Sequence, residues 1–177
     1  DEAYFNVQYS GKPKSIVSLP GMQERTVILY TFSKTYAMTG WRMGYSVWPE
    51  SLIEQATRLA VNCHSCVNAS AQYAGLAALE GPQHSVTDMV AAFDQRRKFI
   101  VERLNELPGF RWRMPRGAFY GCPNIEDTGM EAKTLQNRLL EEIGVGTVAG
   151  TSFGALGEGF IRFSYASSIE NIAEAVE

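Results

Sequence analysis

The sequence predicts an α/β protein in two parts. Short apolar runs rich in β-branched residues alternate with longer segments whose apolar residues recur at helical spacing. The clearest interruption is Glu80-Gly81-Pro82, which follows an Ala-rich helical segment. We therefore predict the end of a larger, parallel-sheet domain over residues 1–80 and a smaller α+β domain over residues 81–177.

The first part is predicted to contain two strands and two helices. Residues 26–32 form a nearly unbroken apolar and β-branched run, which is typical of a strand buried on both faces of a parallel sheet. A second strand, residues 43–48, stops at Pro49, a residue that suits the first turn of a helix. The Ala-rich residues 70–79 form the second helix. The first helix carries an apolar stripe of Leu52, Ile53, Ala56, Leu59 and Ala60.

The second part is predicted to contain three helices and four short strands. Residues 86–107 have apolar residues at helical spacing and end at Pro108-Gly109. A second helix around Leu135 to Ile143 ends at Gly144. Ser167-Ser168-Ile169-Glu170 has the spacing of a capping box and opens the last helix. The predicted strands are residues 110–113, 117–121, 145–149 and 160–165.

Composition narrows the classes of function. Hydrophobic residues make up 45% and charged residues 20% of the 177, as in folded globular proteins. Sixteen Lys and Arg against nineteen Asp and Glu give a net charge of -3, so we expect neither a nucleic-acid nor a membrane partner. Three cysteines do not make a disulfide framework, which favours a reducing, cytoplasmic setting. The Cys-x-x-Cys spacing of Cys63 and Cys66 has no second pair, so we expect no metal site.

Residues 33–44 concentrate the groups that can do chemistry. Lys34 directly follows the first predicted strand, at the kind of position where open α/β sheets bind ligands. Arg42 lies where the chain turns into the second strand. A lysine amine that is desolvated beside another cation is partly unprotonated and can attack a carbonyl carbon. From spacing alone, however, a solvated lysine and a surface arginine are the more frequent case.

Four segments together resemble a known family. They are Asp1-Glu2-Ala3-Tyr4, Ser33-Lys34-Thr35-Tyr36 with Gly40-Trp41-Arg42-Met43-Gly44, Pro115-Arg116-Gly117-Ala118-Phe119-Tyr120, and Gly150-Thr151-Ser152-Phe153-Gly154 followed by Phe160-Ile161-Arg162-Phe163-Ser164. In order and spacing they resemble the fold type I pyridoxal phosphate (PLP) enzymes, specifically class I/II aminotransferases of the aspartate aminotransferase kind. The resemblance implies the C-terminal portion of such an enzyme, with residues 1–80 ending the large PLP-binding domain and residues 81–177 forming the small C-terminal domain.

The resemblance implies a role for five residues at the cofactor. Lys34 would form the Schiff base with PLP and transfer protons. Asp1 would face the pyridine nitrogen and keep the ring protonated, and Tyr4 would donate a hydrogen bond to the phenolic oxygen. These three are the implied catalytic residues. Ser33 and Arg42 would bind the phosphate, for which a guanidinium offers paired donors.

Arg162 is the implied substrate-binding residue. It interrupts a strand of otherwise mostly apolar residues, an unusual place for a guanidinium without a dedicated anionic partner. The resemblance supplies that partner as the α-carboxylate of the substrate. It also implies a homodimeric enzyme that moves an amino group between an amino acid and a 2-oxo acid, with this chain inactive by itself.

Two alternatives stay open at the level of sequence. A PLP-dependent carbon–sulfur lyase would keep Lys34, Asp1 and Arg42 and differ in the shape of its pocket. An aminotransferase-like effector domain of a transcription regulator would bind PLP without turning over a substrate. Nothing basic lies between Ala60 and Ala71 to bind a second carboxylate, so the amino donor is not specified.

Overall fold

The computed structural model describes residues Asp1 to Glu177 and divides into two compact units. The first unit spans Asp1–Asp88 and the second spans Met89–Glu177. The division falls inside the longest helix, α4 (His84–Glu106), a few residues after the break at Gly81 that ends the preceding helix. No helix in the chain combines the length and the apolar character that crossing a membrane requires.

The first unit is built on a two-stranded antiparallel sheet. Strand β1 (Ile28–Thr31) pairs with β2 (Gly44–Val47). The one-turn helix α1 (Phe32–Thr35) follows β1 without a linker. Helices α2 (Glu50–His64) and α3 (Ala69–Glu80) follow β2. The small core of this unit consists of Phe32, Met38, Met43 and Ala71.

Two expectations for the first unit are corrected by the structure. The strand predicted at residues 26–32 comprises Ile28–Thr31; within residues 1–177 it is not buried on both faces, because Leu29 is half exposed, and its pairing with β2 is antiparallel. The chain between the two strands forms the one-turn helix α1 and a 3-10 turn at Thr39–Trp41, and it returns beside β1 in the opposite direction. The apolar stripe of α2 is also exposed, since no residue of that helix is buried.

The second unit contains a three-stranded antiparallel sheet with β5 in the middle. The order is β3 (Tyr120–Gly121), β5 (Ile161–Ser164) and β4 (Val148–Ala149). Three helices accompany the sheet: α4, α5 (Ala132–Ile143) and α6 (Ile169–Val176). The buried residues of this unit include Ile100, Leu104, Ile125, Leu135, Ile161, Phe163, Tyr165 and Ile172.

The predicted strands of the second unit are shorter than expected. Residues 110–113 contribute only an isolated bridge between Arg111 and Asn124. Residues 117–121 contribute only the two residues of β3, because Ala118 has a left-handed backbone with a φ of 62° and interrupts the extended chain.

The predicted helix ends of the second unit are confirmed. Gly144 ends α5 in the left-handed conformation, with a φ of 73°. The last helix, α6, opens at the predicted place, but its cap is Ser168 and not the Ser167–Glu170 pair of the predicted capping box: the Ser168 hydroxyl accepts a hydrogen bond from the Asn171 N–H at 3.1 Å.

Candidate active site

The predicted cofactor lysine lies in a helix turn that is fixed to the end of β1 and to the residue before β2. Lys34 is half buried in α1. The Thr31 hydroxyl accepts a hydrogen bond from the Ser33 N–H at 3.1 Å and donates one to the Met43 carbonyl at 3.4 Å. The Phe32 N–H donates to the same carbonyl at 3.2 Å. The backbone that carries Ser33 and Lys34 is therefore held at the end of β1.

The loop after Lys34 contains two residues with left-handed backbones that are not glycine. Ala37 has a φ of 53° and Arg42 a φ of 52°. Such conformations cost about 1–3 kcal/mol each and concentrate at functional sites. The Arg42 guanidinium donates to the Thr39 carbonyl at 3.0 Å and is otherwise open to solvent. This hydrogen bond orients Arg42 and leaves most of its donors for an anion.

The N-terminal segment runs beside β1. The Glu2 N–H donates to the Leu29 carbonyl at 2.9 Å, and the Asp1 carboxylate accepts from the Ala3 N–H at 2.9 Å. Tyr4 is half buried in the turn that follows, where its carbonyl accepts from the Val7 N–H at 3.0 Å. The carboxylate of Asp1 is thus held by a local turn on a segment that is bonded to the strand preceding Lys34.

Glu2 also shifts the pKa of Tyr30, which lies in β1. A hydrogen bond to Glu2, with burial and the negative charge of that residue, raises the pKa of Tyr30 to about 12. The Tyr30 and Tyr45 rings stack with their centroids 4.7 Å apart. Tyr30 therefore stays protonated over the physiological range.

The groups of the first unit fit PLP chemically. PLP carries an aldehyde, a phosphate and a pyridine nitrogen. Lys34 offers an amine for the aldehyde, Ser33 and Arg42 offer a hydroxyl and a guanidinium for the phosphate, and Asp1 offers a carboxylate for the protonated nitrogen. All of them lie on segments that hydrogen bonds join to β1 or to its continuation.

Arg162 lies in the second unit, on the central strand β5. The Cζ atom of its guanidinium is 5.3 Å from the centre of the Tyr120 ring and 5.0 Å from that of the Phe153 ring. The ion pairs of the chain do not include it. Burial raises the pKa of the Cys122 thiol, and the positive charge of Arg162 opposes that rise. Arg162 is thus a half-buried cation with aromatic neighbours and no ion pair with a carboxylate within residues 1–177.

Sequence reasoning did not identify the interactions that support the Arg162 region. Arg97 is buried in α4, pairs with Asp94 and donates a hydrogen bond to the Pro115 carbonyl, which lies in the segment leading to Tyr120. Arg97 lies at helical spacing from the buried residues Ile100, Val101 and Leu104. The sequence contains a signal for this buried pair: an arginine lies on the apolar stripe of a helix, and an aspartate lies one turn before it.

The cysteines and acids of the chain show no metal-binding arrangement. Cys63, Cys66 and Cys122 are free thiols. No group of three or more His, Cys, Asp and Glu side chains in residues 1–177 is placed to hold a metal ion.

Comparison with known proteins identifies the family. The family model described as aminotransferase class I and II matches residues 1–177, and the chain belongs to this family. Its members are PLP-dependent enzymes. The family and the α/β fold expected from the sequence are therefore confirmed.

Individual relatives agree with this assignment. The chain is 41% identical to the aromatic-amino-acid aminotransferase 2 of Thermococcus litoralis, over 100% of the chain and 46% of the relative. It is 41% identical to an aspartate aminotransferase of Pyrococcus abyssi, with the same coverage. The crystal structure of an aromatic aminotransferase from Pyrococcus horikoshii superposes with a TM-score of 0.95 at 40% identity, covering 99% of this chain and 48% of that one. The chain thus spans just under half the length of the relatives it matches.

Proposed function

We propose that the protein containing this chain is a PLP-dependent aminotransferase that moves an amino group between an amino acid and a 2-oxo acid. The observation that carries the proposal is the family match over the whole chain, with Lys34 fixed at the end of β1 beside a segment that holds Asp1. The names of the relatives favour transamination over elimination or transcriptional regulation. The rest of the protein would supply the remaining cofactor contacts.

The residues of the first unit would bind the cofactor and move protons. When bound, PLP supplies an aldehyde that reacts with amines and a ring that withdraws electrons from the substrate Cα. Lys34 would anchor that aldehyde and would carry the proton to and from the substrate Cα, a positioned transfer worth about 10²–10⁴-fold in rate. Asp1 would hold a proton on the ring nitrogen. Tyr4 would donate to the phenolic oxygen, and Ser33 and Arg42 would hold the phosphate.

Arg162 would bind the α-carboxylate of the substrate. A half-buried guanidinium that has no carboxylate partner of its own is suited to an incoming anion, which it can bind through two parallel hydrogen bonds. We further propose that residues 1–80 belong to the large PLP-binding domain and residues 81–177 to the small domain. By analogy with the family we propose a cytoplasmic homodimer.

A panel of amino donors and 2-oxo acids, assayed on the whole protein with PLP, tests this proposal. We expect transamination of at least one donor. Replacement of Arg162 by lysine is expected to raise KM about tenfold to a hundredfold, because one charge-assisted contact worth about 1.5–3 kcal/mol is lost. The matched control is Arg138→Lys, since Arg138 is an exposed arginine paired with Glu142, and it should leave KM unchanged. Release of pyruvate without consumption of a 2-oxo acid, or an unchanged KM in Arg162→Lys, would contradict the proposal.

A further inference from the structure

The aromatic surroundings of Arg162 are built by two separate segments. In the β3–β5 pairing Tyr120 lies opposite Ser164, so Arg162 is its diagonal neighbour on the same face of the sheet. Phe153 approaches from the side of β4, which is the other neighbour of β5. It ends a single 3-10 turn, Gly150–Phe153, that follows β4 directly. Both rings come within cation–π distance of the guanidinium.

The position of Phe153 depends on a loop that is closed by two glycines. A Cβ atom added to Gly150 would lie 2.1 Å from the Gly157 carbonyl oxygen, and one added to Gly157 would lie 2.0 Å from that of Gly150. The Gly150 N–H donates to the Phe160 carbonyl at 2.8 Å, and the Phe160 N–H donates to the Gly157 carbonyl at 3.2 Å. These contacts fix both ends of the loop, so Phe153 is held near Arg162 although 63% of it is exposed.

Aromatic neighbours leave the hydrogen-bonding capacity of the guanidinium available. An arginine has five N–H donors and no acceptor, and a ring face attracts the cation without offering a carboxylate or carbonyl oxygen. An ion pair with an aspartate or glutamate would orient Arg162 equally well, but it would compete with a carboxylate ligand. The two rings orient the cation without that competition.

We infer that Phe153 and Tyr120 are positioning residues that act through Arg162, holding its guanidinium ready for the carboxylate of the substrate. The inference rests on the proposed function and adds two residues to the same site. It requires that the effect of each ring come from its π electrons and be expressed in binding of the carboxylate rather than in kcat.

The test uses the whole protein with PLP and replaces Phe153 by leucine, which keeps an apolar side chain and removes the ring. We expect KM for the amino donor to rise about two- to fivefold with kcat unchanged, the factor that one exposed cation–π contact provides. The matched control is Leu156→Ala, because Leu156 lies on the same loop, is 99% exposed and has no ring contact with Arg162. It should leave KM unchanged.

A second readout does not depend on turnover. Calorimetry measures the Kd of the carboxylic acid formed when hydrogen replaces the amino group of the best donor, which is 3-phenylpropionate for phenylalanine and succinate for aspartate. We expect Kd to rise in Phe153→Leu by the same factor as KM. Increasingly fluorinated phenylalanines at position 153 keep the shape of the ring and withdraw its electrons, so Kd should rise in step with fluorination.

The outcomes separate this inference from the proposed function. If the wild-type protein transaminates but neither KM nor Kd changes in Phe153→Leu, or if Leu156→Ala has the same effect, the inference is wrong and the proposed function stands. A Kd that is insensitive to fluorination would also overturn it, because packing alone would then explain the leucine variant. If the wild-type protein transaminates no donor, both fail.

Discussion

Replacing Asp94 by alanine removes the carboxylate that faces a buried arginine. The Arg97 side chain is only 7% exposed, pairs with Asp94 and donates a hydrogen bond to the Pro115 carbonyl. Breaking a buried ion pair costs about 3–5 kcal/mol. Because Asp94 is 27% exposed and the bond to Pro115 stays, we expect a loss of about 2–3 kcal/mol in the free energy of unfolding. At a typical urea dependence this lowers the midpoint of unfolding by about 1–2 M.

Fluorescence of Trp112 in urea measures this loss, because Trp112 is buried in the same unit. Replacing Trp41 and Trp48 by phenylalanine leaves it as the only indole among residues 1–177. The matched control is Glu142→Ala, which removes the acid of an exposed helical pair with arginine and should not move the midpoint. Equal midpoints for the two variants would refute the view that burial makes the Asp94 pair different.

The Asp94–Arg97 pair also predicts how the difference in stability between wild type and Asp94→Ala changes with pH. Burial by itself raises the pKa of Asp94, but hydrogen bonds from Lys98 and Arg97 and their positive charges outweigh burial and lower it below the ordinary value. A carboxylate whose pKa is lower in the folded state stabilises the fold above its unfolded pKa, and this contribution is lost as the pH falls through the folded pKa. The difference in midpoint between wild type and Asp94→Ala should therefore be complete at pH 7 and shrink below about pH 4. A difference that grows on acidification would contradict this reasoning.

Two further substitutions test local interactions. The Asn68 side chain caps α3 by accepting a hydrogen bond from the Ala71 N–H at 3.2 Å. Asn68→Ala removes this cap and should lower the free energy of unfolding in urea by about 1 kcal/mol, whereas Asn68→Ser keeps a capping oxygen and should retain most of the stability. Tyr165→Phe removes the hydroxyl that donates to the Ala118 carbonyl at 3.0 Å. The free energy of unfolding, followed by Trp112 fluorescence, should fall by about 1–2 kcal/mol. A change near zero would show that this hydrogen bond does not hold the left-handed backbone of Ala118.

The features that the sequence predicted correctly depend on local signals. Gly144 and Ser168 mark helix ends because the capping interactions involve only residues within one turn. Lys34 was placed after a strand because the run of β-branched residues before it is a local pattern. The family resemblance likewise rested on short segments in fixed order.

The features that the sequence did not predict depend on contacts between distant segments. The antiparallel pairing of β1 with β2 follows from the path of the chain between the two strands, and the exposure of the α2 stripe follows from what packs against that helix; periodicity reports neither. The bond from Arg97 to Pro115 joins a helix to a loop. The contact of Arg162 with the Phe153 ring requires the register of β5 and a closed loop after β4, neither of which a single sequence states.

Identification of the lysine that binds PLP is the most direct test of the role proposed for Lys34. The whole protein is incubated with PLP, reduced with borohydride and digested, and the modified peptide is identified by mass spectrometry. We predict that the pyridoxyl group is on Lys34, that Lys34→Ala removes both the label and turnover, and that replacing the exposed Lys98 by alanine removes neither. A label on any other lysine, or full labelling of the Lys34→Ala variant, would contradict the account.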